Sequence, residues 1–139
     1  MSDYACALIV EDGRLLLGRR TALRRHRAGL WDVLGGLAEP EEDLHAALRR
    51  ELQEEIGVTP TAQRYFATID KPASSVCYHF FVVDRWLGSP EIRNNEHAEL
   101  RWFHFGDAAD LADLALPEYG ELFRRLARFS SGADTTTLR

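Results

Sequence analysis

Three glutamates in the first half of the chain have a spacing that could hold a divalent metal ion. Glu51, Glu54 and Glu55 occupy positions i, i+3 and i+4, so a helix would carry all three on one face. Carboxylates this close repel one another, and the repulsion is relieved if a hard cation such as Mg²⁺ binds among their oxygens. A glycine pair, Gly35 and Gly36, precedes them at a point where backbone could approach a ligand closely. This part of the chain therefore indicates a site for a metal ion and phosphates.

A helix is needed to position these carboxylates, and the sequence predicts one from Pro40 to Gly57. Proline suits the start of a helix, and the acidic residues at 41–43 would meet the positive end of the helix dipole in the first turn. Gly57 is a typical stop signal. Four apolar residues repeat at helical spacing and should face the core: Leu44, Ala47, Leu48 and Leu52.

The other elements alternate irregularly between strand and helix patterns. Runs of strand-forming residues predict strands at 4–10, 14–18, 30–34, 63–69, 76–86 and 100–105. Helical spacing predicts two later helices, at 107–114 and 118–129. Because strict βαβ alternation is missing, we expect an α+β fold with a mixed β-sheet sandwiched between helices. We expect a single domain at 1–129 and a flexible C-terminal tail at 130–139.

Composition excludes some classes of partner. The 139 residues carry a formal net charge of −5, which disfavours binding to a nucleic acid polymer. The chain opens without a signal peptide pattern and has no apolar run of membrane-spanning length, so we predict a cytoplasmic protein with no membrane partner. Cys6 and Cys77 lie in apolar stretches and are predicted to be buried free thiols. The sequence leaves monomer and homodimer open.

The segment 36–58 fits the pattern G-x5-E-x7-R-E-U-x-E-E-x-G-U, where U is a bulky aliphatic residue. Its constrained positions are filled by Gly36, Glu42, Arg50, Glu51, Leu52, Glu54, Glu55, Gly57 and Val58. This pattern is the signature of the Nudix hydrolases. The hairpin before it, the WDVLGG segment and the strands after it resemble the MutT-like branch of that family.

The resemblance implies a Nudix fold and the Mg²⁺- or Mn²⁺-dependent hydrolysis of a nucleoside diphosphate linked to another group. It implies that Glu51, Glu54 and Glu55 bind the metal, with the backbone carbonyl of Gly35 as a further ligand. Arg50 would orient one of these carboxylates through a salt bridge.

Further residues take their expected roles from the same resemblance. MutT-type enzymes add a glutamate from a loop before a late strand, and Glu96 fits that place, with Glu99 as a second candidate. Glu42 would support the loop before the helix. The general base is expected to be Glu51 or Glu96, and the sequence leaves both open.

A basic segment, residues 19–27, could contact the phosphates of a substrate. Arginine forks suit phosphate oxygens, although a solvated loop would explain the same composition. Arg20 is the best single candidate because it closes the predicted hairpin near the expected site. The glycine pair, Gly35 and Gly36, would also lie against the substrate.

The substrate is predicted to be a small nucleotide, most simply a (deoxy)nucleoside triphosphate cleaved as MutT-type enzymes cleave it. An ADP-ribose or nucleotide-sugar pyrophosphatase is the alternative enzyme, and a non-catalytic nucleotide sensor is the alternative of another class. Recognition of oxidised guanine does not transfer, because Pro117 stands near the place of the asparagine that MutT uses and offers no side-chain amide.

Overall fold

The computed structural model describes residues 1–130. Strands are β1 (Ser2–Glu11), β2 (Arg14–Arg20), β3 (Trp31–Asp32), β4 (Leu34–Leu37), β5 (Thr59–Lys71), β6 (Val76–Leu87) and β7 (His97–His104). Helices are α1 (Leu44–Ile56), α2 (Phe105–Ala109) and α3 (Tyr119–Ser130), with a short 3-10 helix at Pro72–Ser74. Of the predicted tail, Ser130 ends α3 and the remainder lies outside the described residues. No helix within residues 1–130 has the length and apolar character needed to cross a bilayer.

Strand β1 is the centre of a mixed seven-stranded sheet. It pairs in parallel with β6, in antiparallel with β4, and through a tight hairpin with β2. Strand β2 in turn pairs with β7 and β3, while β5 pairs with the other edge of β6. The expected α+β class and mixed sheet are therefore confirmed.

The sheet separates two hydrophobic cores because successive side chains of a strand point to opposite faces. Ala5, Ala7 and Ile9 of β1 contribute to the core beneath α1. Cys6 and Leu8 contribute to the core beneath α2 and α3, as do Tyr119, Leu122, Phe123 and Leu126. Both cysteines are free and buried, as predicted.

Helix α1 begins later than predicted. The acidic residues before it lie outside the first turn, and Asp43 caps the helix by accepting a hydrogen bond from the Ala46 N–H. Gly57 ends the helix in the left-handed conformation, with φ of 71°, as its stop signal predicted. Ala47, Leu48 and Leu52 are fully buried.

Other boundaries also differ from the prediction, among them β5, which covers Thr59–Lys71 and not only 63–69. Helix α2 covers Phe105–Ala109 and not 107–114, because the backbone at 113–115 leaves the helix to hydrogen-bond with Trp31. Strand β7 begins at His97, before the predicted start at 100, because His97 and Glu99 pair with β2. The predicted strand 30–34 is divided between β3 and β4, which pair with different neighbours.

Candidate active site

Helix α1 presents its three glutamates to very different surroundings. The side chain of Glu54 is 56% exposed, that of Glu51 is 14% exposed, and that of Glu55 is 1% exposed. The face that they share therefore runs from solvent into the protein interior. Glu96, directly before β7, completes a cluster with Glu55 and His97, whose ligand atoms all lie within 4.8 Å of one another.

The glycine pair brings backbone against this cluster. The Gly35 N–H donates a hydrogen bond of 3.2 Å to Oε1 of Glu55. Gly35 has a φ of 137°, and a Cβ there would collide with the backbone of β1. A Cβ on Gly36 would overlap the carboxylate of Glu51. Gly35 therefore requires glycine for its conformation, whereas a side chain at Gly36 would displace the Glu51 carboxylate.

Arg50 links the loop before α1 to the carboxylates on the helix. Its Nε and Nη2 donate to the two oxygens of Glu42, at 2.8 Å each, and its Nη1 donates to Glu51 at 3.0 Å. Nη1 also reaches Glu54 at 3.5 Å, and Nη2 donates to the carbonyl of Leu37. The hydrogen bonds from Arg50 lower the pKa of Glu42 to about 2. The arrangement holds the loop and two of the glutamates in one orientation.

Burial changes the protonation of the cluster. It raises the pKa of Glu55 well above its usual value, and the charge of Glu96 adds to this shift. Burial also raises the pKa of Glu51, against the opposing effect of Arg50. Burial acts in the same direction on Glu96, but hydrogen bonding to Glu55 and an ion pair with Arg24 outweigh it, so the pKa of Glu96 is lowered. The two pKa shifts have opposite directions, so a proton bound by this pair favours Glu55 over Glu96.

His97 belongs to this cluster, although its sequence context gave it no role. Its Nε2 lies 3.6 Å from Oε1 of Glu55, and its side chain is 6% exposed. Burial lowers the pKa of His97 and favours the neutral ring. The alternation of β7 could have indicated an inward side chain here, but only if the strand had been predicted to begin at 97.

A cavity of about 320 Å³ opens next to the cluster. Glu51, Glu96 and the glycine pair line one part of it. The remaining walls carry charged, aromatic and apolar residues from six strands, α3 and the loop after β2: Tyr4, Cys6, Arg20, Arg24, His26, Arg27, Asp32, Val33, Leu34, Leu37, Tyr78, His97 and Tyr119. The volume lies at the lower end of the range usual for small-molecule sites.

Two polar pairs lie in the walls of this cavity. Arg27 donates from Nη1 to the Tyr78 hydroxyl at 3.3 Å, while its buried Nε has no hydrogen-bond acceptor among residues 1–130. The Tyr119 hydroxyl donates to Oδ1 of Asp32 at 2.6 Å. The Arg27 guanidinium and the Asp32 carboxylate therefore both lie in the cavity wall, and Asp32 also accepts hydrogen bonds from the Val33 N–H and from Arg20.

The basic loop after β2 is anchored and not freely solvated. Arg20 is 9% exposed; it donates from Nη1 to Asp32 at 3.1 Å and from Nε to the carbonyl of His26 at 3.0 Å. Arg24 forms an ion pair with Glu96 at 3.0 Å. Arg24 of the loop thus contacts the carboxylate cluster, while Arg20, at the end of β2, contacts Asp32 in the cavity wall.

Glu99, the second candidate for the outside glutamate, lies elsewhere. It is part of β7 and forms ion pairs with Arg19 and Arg101 on the surface. The structure therefore brings Glu96, and not Glu99, to Glu55.

The comparisons with known proteins agree with this fold and site. The family model described as the NUDIX domain matches residues 2–126. The chain belongs to the Nudix family, and it is a hydrolase of the pyrophosphohydrolase type.

Sequence relatives cover most of the chain. A CTP pyrophosphohydrolase of Escherichia coli strain K12 is 36% identical over 104 residues, which are 73% of this chain and 75% of the relative. An 8-oxo-dGTP diphosphatase of Buchnera aphidicola is 30% identical over 106 residues, covering 76% of this chain and 79% of the relative. An NAD-capped RNA hydrolase, NudC, of Shigella flexneri is 32% identical, but the match covers only 43% of that protein.

Solved structures extend the likeness to the whole described fold. The E. coli ORF135 protein has a TM-score of 0.79 at 32% identity, covering 94% of this chain and 92% of that one. A MutT protein of Methanosarcina mazei has a TM-score of 0.75 at 28% identity, with coverage of 93% and 94%. The resemblance to the MutT-like branch is therefore confirmed.

Proposed function

We propose that this chain hydrolyses a nucleoside triphosphate to a nucleoside monophosphate and pyrophosphate, with a divalent cation held by the α1 glutamates and Glu96. One observation carries the proposal. Buried and half-buried carboxylates meet the backbone of Gly35 and Gly36 at a cavity whose opposite wall offers groups suited to a nucleobase.

The residues present fit a cation. Oε2 of Glu55 is buried and has no hydrogen-bond partner in the described part of the chain, and the carboxylate of Glu96 lies beside it, so two ionised carboxylates here would repel each other. Such an arrangement is costly for anions and is relieved by positive charge. All the oxygens are hard ligands, which supports Mg²⁺ or Mn²⁺. Glu51, Glu55 and Glu96 would hold the ion, with Glu54 and the Gly35 carbonyl as further ligands from the rim.

The chain's own residues would orient the substrate and move the proton. The chemistry supplied by such a cation is neutralisation of the phosphate charges and activation of water. We propose Glu51 as the general base, because burial raises its pKa whereas the Arg24 ion pair reduces the proton affinity of Glu96. Water attacks phosphorus, Glu51 accepts a proton, and the anhydride bond between the α- and β-phosphates breaks.

We propose a cytosine nucleotide as the preferred substrate. Arg27 can donate to the carbonyl and ring nitrogen of cytosine, and the Asp32 carboxylate can accept from its amino group. The tilted pair of Tyr4 and Tyr78, with ring centroids 5.2 Å apart, provides an aromatic surface beside these groups. The 36% identical relative described as a CTP pyrophosphohydrolase supports the same choice.

The test is a turnover panel with Mg²⁺ or Mn²⁺ that includes CTP, dCTP, the other nucleoside triphosphates, 8-oxo-dGTP, ADP-ribose and NADH. We expect the fastest release of pyrophosphate from a cytosine nucleotide, loss of turnover in a chelator, and loss in Glu51→Gln. Faster cleavage of ADP-ribose would replace this proposal with the nucleotide-sugar alternative. Nucleotide binding without product from any substrate would identify a sensor domain.

A further inference from the structure

A second group of metal-ligating side chains lies on β1 and β6. Asp3, Cys77 and His79 each direct a ligand atom into one place, and these atoms lie within 4.8 Å of one another. Nε2 of His79 is 2.9 Å from Oδ1 of Asp3. None of the three residues lines the cavity of the candidate active site, which instead receives their neighbours Tyr4 and Tyr78.

Strand register produces this group. Asp3 is paired with Cys77 in the parallel β1–β6 ladder, and His79 follows two residues later on the same strand. Alternation therefore places all three side chains on one face of the sheet, the face covered by α1 further along. Asp70 is paired with Cys77 from the other side, on β5. Burial raises the pKa of the Cys77 thiol, and the charges of Asp70 and Asp3 act in the same direction.

The ligand types differ from those of the α1 cluster. One sulfur, one imidazole nitrogen and one carboxylate oxygen form a set that suits Zn²⁺ and similar ions, whereas Mg²⁺ prefers oxygen alone. The group can be reached from solvent, since the side chains of His79 and Asp3 are 20% and 51% exposed. Three protein ligands leave the fourth position of a tetrahedral ion for water or for Asp70.

We propose that Asp3, Cys77 and His79 form a second cation site that binds Zn²⁺ or a divalent ion of similar softness, separate from the carboxylate cluster. An ion there would link the beginning of β1 to the beginning of β6. The proposal does not depend on the substrate or on the hydrolytic mechanism.

Cobalt spectroscopy of the full chain tests the site directly. The metal-free protein is saturated with Mg²⁺ to occupy the carboxylate cluster and is then titrated with Co²⁺. A thiolate ligand gives a near-ultraviolet charge-transfer band that oxygen ligands cannot give. We expect this band to saturate at one Co²⁺ per chain and to be displaced by Zn²⁺.

Variants decide which residues are responsible. We expect Cys77→Ser to abolish the band, Asp3→Asn and His79→Gln to weaken Co²⁺ binding about tenfold or more, and Cys6→Ala to leave the band unchanged. Because Asp3 is half-exposed, Asp3→Asn should fold even if Cys77→Ser does not. Circular dichroism measures whether each variant is folded. Absence of the band in the parent protein, its survival in folded Cys77→Ser, or unchanged affinity in Asp3→Asn would overturn the proposal. Asp3 and His79 would then be an ordinary surface pair beside a thiol, Cys77, that binds no metal. Since the readout needs no turnover, it is independent of the proposed hydrolysis.

Discussion

Arg50 donates two parallel hydrogen bonds to the carboxylate of Glu42, from Nε and Nη2, each 2.8 Å long. The same guanidinium donates to Glu51 at 3.0 Å. Arginine therefore connects a residue of the loop before α1 with a proposed metal ligand and base on the helix. Lysine has one charged nitrogen and cannot reproduce a forked contact of this kind.

The first prediction concerns this fork. Arg50→Lys should lower kcat by about 10- to 100-fold, the range found when residues that orient metal ligands are changed. Steady-state kinetics at saturating Mg²⁺ measures the effect, and circular dichroism checks the fold. Arg49→Lys is the matched control, because Arg49 is the exposed neighbour on the same helix. If the two variants have the same kcat, Arg50 does not orient the metal ligands.

The second prediction separates metal binding from folding. Glu55→Gln keeps the shape of a side chain that is 1% exposed but removes a carboxyl that can ionise beside Glu96 and bind a cation. We expect the metal-free variant to be at least as stable as the metal-free parent protein. Turnover should fall by orders of magnitude, and Mg²⁺ or Mn²⁺ should no longer raise the melting temperature. Thermal unfolding with metal and with chelator measures this, and a variant that is still stabilised by metal would contradict Glu55 as a ligand.

The third prediction is the pH dependence of the metal-free protein. The pKa of Glu55 in the folded state is raised above its usual 4.5, so the folded protein retains a proton that the unfolded chain has lost. Stability is therefore lost as pH rises above about 4.5, by up to about 1.4 kcal/mol per pH unit for one group, until the folded pKa is passed. His97, with a lowered pKa, acts in the opposite direction below about 6.5.

The comparison with Glu55→Gln isolates this effect. The free energy of unfolding of the parent, minus that of the variant, should decline as pH rises above about 4.5 in chelator. Denaturant unfolding at a series of pH values measures the difference. A difference that stays flat or increases across this range would show that Glu55 is not protonated by its burial. Saturating Mg²⁺ should remove the decline in the parent.

Local patterns were sufficient to predict the fold class and the position of the carboxylates. Glu51, Glu54 and Glu55 share a helix because apolar residues at helical spacing and Gly57 define it, and these are short-range signals. The strong strand at 76–86 was also visible, because β-branched and aromatic residues dominate it.

Contacts across the sheet were not accessible in the same way. His97 meets Glu55 only because β7 pairs with β2 from its first residue, and that pairing depends on a distant strand. Arg27 and Tyr78 are 51 residues apart in sequence, and no local pattern connects them. The burial that gives Glu55 its raised pKa is likewise a property of the whole fold.

The fourth prediction concerns the proposed nucleobase wall. Arg27→Gln removes the guanidinium whose Nε is buried without an acceptor, and it should raise KM for the cytosine nucleotide about tenfold, as expected for a lost hydrogen bond from a charged donor. The effect on kcat should be smaller because the proposed site of the phosphates is the carboxylate cluster and not Arg27. Arg25→Gln, an exposed position in the same loop, is the control. If the two variants have the same KM, Arg27 does not contact the base.

The last prediction asks what Arg20 does. Its guanidinium is fixed by Asp32 and by the carbonyl of His26, yet it lines the cavity beside the carboxylate cluster. Loss of one partner from a buried ion pair typically costs about 3 kcal/mol or more, so Arg20→Gln should lower the free energy of unfolding by about that amount. Arg19→Gln is the control, because Arg19 forms a surface pair with Glu99 worth less than about 1 kcal/mol.

Kinetics then separates a purely structural Arg20 from one that also binds substrate. If the anchored guanidinium contacts the triphosphate, Arg20→Gln should raise KM about tenfold or more at a temperature where the variant is fully folded. Destabilisation with an unchanged KM would assign Arg20 to the support of Asp32 and the basic loop alone. We expect both effects together, because two contacts that fix the guanidinium from behind reduce the entropy lost when it binds a phosphate.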